Sequence, residues 1–135
     1  MIPIDSIMTT KVYSVLTQTP IFEALDMLHR HKISGLPVVD SQDRVIGILT
    51  QKDVLKILLD ERKVCEQKVE DYMCREVVCF TEEDSAVDIC RFFMRSNIRR
   101  VPIVRDGKLI GIVSRRDIVE LILEAREKIS DFRYV

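Results

Sequence analysis

Glycine, cysteine and aromatic residues are scarce in this chain, charge is balanced, and each shortage closes off a class of function. Only four of 135 residues are glycine, too few and too scattered for a Gly-rich phosphate loop. Gly47 and Gly111 each interrupt an apolar run, which points to close backbone approach or a bulge. The four cysteines, Cys65, Cys74, Cys79 and Cys90, form no C-x-x-C and have no histidine beside them in sequence, so zinc and haem spacings are missing. They read as reduced thiols of a cytoplasmic protein, with Cys90 at a helix position that Leu25 fills earlier in the chain. His29 and His31 stand two apart on a helix, face different ways and make a poor metal pair. No metal site is expected. Net charge is −1 and aromatics make up 6%, which argues against a nucleic-acid surface, although the second repeat has an Arg-rich edge. No apolar run approaches the ~20 residues of a membrane span. The opening "MIPIDSIMTTKV" lacks the basic-then-apolar order of a signal peptide. No nucleophile stands with a base, so no catalytic residue and no enzymatic activity are expected.

What is present is a repeat. The chain is 47% hydrophobic and 32% charged, a composition that suits a soluble fold of one compact domain or two small intertwined ones. Displaced by 65 positions, Ile4 falls on Val69, Met8 on Met73, Val12 on Val77, Ile33 on Ile98, Pro37 on Pro102 and Val39 on Val104. "SQDR" is one residue longer than "DGK", and the offset then becomes 64. Ile46 falls on Ile110, Gly47 on Gly111, Ile48 on Ile112, Thr50 on Ser114 and Asp53 on Asp117.

The halves read alike. Ile4 to Met8 and Val69 to Met73 predict short helical turns, and Val12 to Leu16 and Val77 to Phe80 predict strands. Thr19-Pro20 and Asp84-Ser85 start helices, with the capping residue first and proline at N1 in the first half. Ile21, Ala24, Leu25 and Leu28 form a stripe at helical spacing, repeated by Ala86, Ile89, Cys90 and Phe93. Two apolar runs with a polar turn follow; "RDGK" is a tight-hairpin signal. A last helix carries Val54, Ile57 and Leu58, and Ile118, Leu121 and Ile122. Each half is therefore β-α-β-β-α, an α+β class, and about 55 residues cannot bury enough apolar surface alone. Two copies packed about a pseudo-two-fold axis can. The expected division is 1–60 for the first repeat, 61–68 for the linker, 69–126 for the second repeat and 127–135 for a C-terminal tail. Ile129, Phe132 and Tyr134 of that tail are read as docking on a second copy or a partner, or else as a frayed end.

This order, with "ISGLPVVD…VIGILTQKD" and "IRRVPIVRDGKLIGIVSRRD", resembles the CBS domain, named for cystathionine beta-synthase, two of which in tandem form a Bateman module. The resemblance runs from about Ile4 to about Ala125 and rests on the doubled Pro-containing strand, the glycine before the last strand's end, and T/S-x-x-D in both halves. It implies a regulatory module that binds AMP, ADP, ATP or S-adenosylmethionine between the repeats, needs no other cofactor, and signals to a separate, unidentified partner protein, since no further domain is attached. It also implies a homodimer through the helices, for which Phe22, Met27, Phe92 and Met94 could supply the seam, or they could equally be intramolecular core. The alternative is a dimerising scaffold that binds no ligand.

The resemblance places one cleft at Thr9, Tyr13, Ile33, Ser34, Gly35, Ile112, Ser114 and Asp117. The other takes Ile48, Thr50, Asp53, Cys74, Val78, Ile98, Arg99 and Arg100. A carboxylate can accept from both vicinal ribose hydroxyls. The same T/S-x-x-D is nearly a capping box, so Asp53 and Asp117 serve ribose or cap a helix. Gly35 leaves room for a base where Arg100 does not, which favours the Asp117 cleft for adenine. Arg99, Arg100, Arg115, Arg116 and Lys52 are the candidates for phosphate contact. Arg115 and Arg116 stand in a first helical turn, where the helix dipole gives a cation nothing. The competing reading for each arginine is a solvated surface position.

Overall fold

The computed structural model describes residues 2–62 and 66–128. Cys65 and the expected docking of Ile129, Phe132 and Tyr134 lie outside the described residues. The first half runs from a 3-10 turn (Ile4–Ser6) through β1 (Val15–Leu16), α1 (Ile21–Arg30), β2 (Gly35–Val39) and β3 (Val45–Thr50) to α2 (Gln51–Val54), which tightens into a 3-10 segment, Leu55–Leu59. The second half repeats it with a 3-10 turn (Val69–Asp71), β4 (Phe80–Thr81), α3 (Ala86–Arg95), β5 (Arg100–Arg105), β6 (Lys108–Ser114) and α4 (Arg115–Lys128). Each half holds a three-stranded sheet, ordered β1-β2-β3 and β4-β5-β6. In each the first pair is parallel, joined across a helix, and the second is an antiparallel hairpin. The "RDGK" turn takes positive φ at Asp106 (53°) and Gly107 (79°), as a tight hairpin requires.

Three local expectations change. The strands β1 and β4 have two residues each rather than four or five. The chain just ahead of them is taken by the opposite half: Thr9 exchanges hydrogen bonds with Ile112 (2.8 and 3.0 Å), and Cys74 with Ile48 (2.9 Å both ways). Pro20 is the N-cap of α1, not its first helical residue, with ψ at 139° and no side-chain cap. It pairs with Lys68, and the Ile21 amide donates to the Gln67 carbonyl at 3.0 Å. Its counterpart Ser85 caps α3 in a full capping box with Asp88. The last helices also differ in length. α4 has 14 residues, whereas α2 has four and its 3-10 extension buries none of its side chains.

The cores are exchanged at the entry turns. Ile4, wholly buried, packs with Ile89, Phe93, Ile103 and Val113 of the second half. Val69 and Tyr72 pack with Ile21, Leu36 and Leu49 of the first. Each half thus completes the other's interior. Both in-strand glycines leave room for the exchange. A Cβ on Gly47 would stand 2.8 Å from the Cys74 carbonyl oxygen, and one on Gly111 would stand 2.6 Å from Met8 Sδ.

Candidate functional site

The two T/S-x-x-D motifs fold into helix starts. The Thr50 amide and hydroxyl both donate to Asp53 Oδ2 at 2.9 Å, and the Asp53 amide donates back to Thr50 Oγ1 at 3.3 Å. Ser114 and Asp117 repeat the pattern at 2.7, 3.0 and 3.2 Å. Both are capping boxes with aspartate in place of the usual glutamate. The capping uses one carboxylate oxygen. Asp53 Oδ1 stands 3.8 Å from Lys56 Nζ, and the residue is buried. Asp117 Oδ1 accepts no hydrogen bond among the described residues, and Asp117 lines a pocket. Capping therefore uses one oxygen of Asp117 and leaves the other without a partner among the described residues.

That pocket, of about 210 Å³, lies between the halves. It gathers Thr9, Tyr13, Ile33, Gly35, Ile112, Ser114 and Asp117. Ser34 opens on the neighbouring pocket instead; its carbonyl accepts from the Gln51 amide at 3.0 Å. Lys11, Val12 and Pro37 also line the first pocket, and none of them was expected there. Lys11 had a signal. It alternates with Thr9 and Tyr13, so in extended chain the three share a face. Behind Tyr13, the His31 ring stacks on it at 3.7 Å between centroids and 13° between planes, so His31 braces a pocket wall.

The second pocket, about 230 Å³, is lined by Ile48, Thr50, Ile98, Arg99, Arg100 and Lys52, together with Ser34, Gly35, Gln51 and Asn97. Asp53 and Val78 are not in its lining. Cys74 is spent on its ladder contact with Ile48. Of the phosphate candidates, Arg99, Arg100 and Lys52 reach this pocket. Arg115 does not. Its Nη2 donates to the Phe93 and Ser96 carbonyls at 3.1 and 2.5 Å, closing the C-terminal end of α3, and its guanidinium lies 5.8 Å from the Phe93 ring centroid. Arg116 is exposed, 3.7 Å from Glu120.

Gly35 and Arg100 line both pockets, so the two cavities meet there. They occupy equivalent places, the first residues of β2 and β5, paired with Thr50 and Ser114. Arg100 Nε is buried and has no hydrogen-bond partner among the described residues. Burial pulls the guanidinium below its ordinary pKa, and the nearby Asp117 charge opposes that. The wall of the Asp117 pocket sets Tyr13, Ile33 and Ile112 beside Thr9, Ser114, the Asp117 carboxylate and two cations, Lys11 and the half-buried Arg100: a surface for a flat ring, a hydroxyl donor and an anion.

Among relatives, an uncharacterised 17.7 kDa protein of Acidianus ambivalens is 36% identical over 122 residues, covering 90% of this chain and 73% of that protein. The chain spans much smaller shares of two Methanocaldococcus jannaschii relatives, 42% of an uncharacterised protein and 23% of an inosine-5′-monophosphate dehydrogenase. The Arabidopsis thaliana CBS-pair protein CBSX2, solved in complex with AMP, superposes with a TM-score of 0.83 at 26% identity, covering 93% of this chain and 99% of that one. A CBS domain pair solved with 5′-methylthioadenosine and S-adenosyl-L-methionine superposes with a TM-score of 0.81 at 27% identity, over 93% and 98%. The CBS domain pattern itself matches twice, over residues 4–60 and 69–124. With two β-α-β-β-α units facing each other and both stretches matched, the chain belongs to the CBS domain family as a tandem pair.

Proposed function

We propose that this CBS pair is a regulatory module that takes an adenosine-containing ligand, AMP, ADP, ATP or S-adenosylmethionine, in the pocket around Asp117 and passes its occupancy to a separate protein. The observation that carries this is one carboxylate with a spare oxygen: Oδ2 caps α4, Oδ1 accepts nothing among the described residues, and Asp117 lines a pocket with Tyr13, Ile33 and Ile112. Those side chains suit an adenine face, and vicinal ribose hydroxyls suit the spare oxygen. A hydrogen bond to a charged acceptor contributes about 1.5–3 kcal/mol. The relatives solved with AMP and with S-adenosyl-L-methionine support the ligand class. The role is binding rather than catalysis, in a cytoplasm that keeps thiols such as Cys74 reduced.

Thermal unfolding with millimolar AMP, ATP and S-adenosylmethionine tests it. A ligand at about 100 times its Kd stabilises by about 2.7 kcal/mol. Asp117→Asn keeps a capping oxygen and loses the charge, so the ligand-induced rise in Tm is expected to disappear while the apo Tm changes little. The proposal fails if no ligand in the panel moves the Tm, or if the variant responds as the wild type does.

A second reading, pairing with another copy without any ligand, draws on exposed apolar side chains. Phe22 and Met94 are 52% and 87% exposed, and Leu58 and Leu59 are 90% and 84% exposed. Of the other two expected seam residues, Phe92 is core and Met27 packs against the first-half core. Sedimentation with and without nucleotide separates the readings: a scaffold dimerises equally in both.

A further inference from the structure

Arg100 is a cation without a closed ion pair. It takes part in none of the salt bridges among the described residues, and its Nε is buried without an acceptor. The side chain is half-buried, its one nearby counter-charge among the described residues is Asp117, and a guanidinium N–H shut away without an acceptor is costly, a cost an arriving anion relieves. Two cavities open on the same side chain. The equivalent place in the first half is Gly35, which supplies no second guanidinium. The cavities also differ in what else they offer. Around Asp117 there is one carboxylate and Lys11. On the other side are Lys52 and Arg99 with no carboxylate in the wall. The second cavity is thus the more cationic one, and it can hold an anion that brings no ribose.

We propose that Arg100 makes the two pockets antagonists for anionic groups: the pocket that holds a phosphate takes the one guanidinium they share, and the other loses it. The proposal rests on the reading that a nucleotide enters the Asp117 pocket. It adds a regulation of that site by a second anion, such as a free phosphate or a second nucleotide's phosphates, bound at Lys52 and Arg99. An uncharged nucleoside makes no claim on Arg100 and escapes the antagonism.

The test is calorimetric titration of the full chain with AMP and with adenosine, each with and without inorganic phosphate at fixed ionic strength. Phosphate is expected to raise the AMP Kd about ten-fold, the equivalent of one charge-assisted hydrogen bond, and to leave the adenosine Kd unchanged. In a Lys52→Gln/Arg99→Gln double variant the phosphate effect on AMP is expected to vanish. In Arg100→Gln, phosphate is expected to lose its effect as well. The antagonism is overturned if phosphate leaves AMP binding untouched, or if it weakens adenosine equally. Persistence of the effect in the double variant also overturns it, because phosphate then competes inside the nucleotide's own pocket. If neither AMP nor adenosine binds, the nucleotide reading itself falls, a result distinct from binding of both without antagonism.

Discussion

Asp60 closes the end of the first half onto the second. Its carboxylate accepts from Arg62 (Nη2 at 2.7 Å) and from the Tyr72 hydroxyl at 2.6 Å. Arg62 first, and Tyr72 second, hold the Asp60 carboxyl far below the usual carboxylate range. Burial, aided by the Asp60 charge, raises the Tyr72 phenol, so it stays a donor at all moderate pH. A carboxyl whose folded pKa lies below its unfolded one adds stability above the unfolded value, about 3.9, and that stability is lost as pH falls toward the folded value. Tyr72→Phe removes one of the two stabilising donors. Urea midpoints measured at neutral pH and below about pH 4 are expected to fall less steeply with acid in the variant than in the wild type. An equal acid slope in both proteins would show that the phenol contributes nothing to Asp60's ionisation. At this same scale the T/S-x-x-D motifs were legible as hydroxyl and acid at a helix start, with capping and ribose contact both open. Sequence could not say that Asp117 serves the cap with one oxygen only, because that depends on side-chain rotation inside a pocket built by the opposite half.

Helix stripes and hairpins read well from sequence because their period is local. Ile21, Ala24 and Leu28 are buried as the helical spacing implies, and so are Ala86, Ile89 and Phe93. The short strands read poorly. Their residues have strand propensity, yet the backbone ahead of them is hydrogen-bonded to the other repeat, a tertiary contact with no local signature. The glycines mark that contact. At Gly47 an added methyl would meet a carbonyl oxygen of the backbone, which has nowhere to move; at Gly111 the nearest obstacle is the end of the flexible Met8 side chain. Gly47→Ala is therefore expected to cost about 1–3 kcal/mol, the range for overpacking, and Gly111→Ala less. Chemical denaturation of the two variants reads the order directly, and a reversed order would contradict this account of the crossing.

The repeat implied two half-domains facing each other, and the matched family stretches agree with it. It could not reveal which core each entry turn fills. Ile4 and Val69 hold equivalent places in equivalent patterns, so either would satisfy its own half or the other; three-dimensional packing alone decides for exchange. Ile4→Ala should then loosen the half it is remote from in sequence. The cost is expected to be about 2–5 kcal/mol, the range for emptying a buried isoleucine. Amide exchange should quicken in β5 and β6 more than in β2 and β3. Faster exchange confined to β2 and β3 would refute the assignment.

The same exchange sets a timetable for synthesis. A ribosome that has released the chain through Leu59 has made every strand of the first sheet, but that sheet's interior still lacks Val69 and Tyr72. Ile4, the first-made piece of the second interior, meanwhile has no second sheet to enter. The nascent chain therefore carries two unfinished apolar surfaces at once. Neither is sealed until the later half emerges, and it is during that interval that the protein depends on whatever shields exposed apolar chain in the cell.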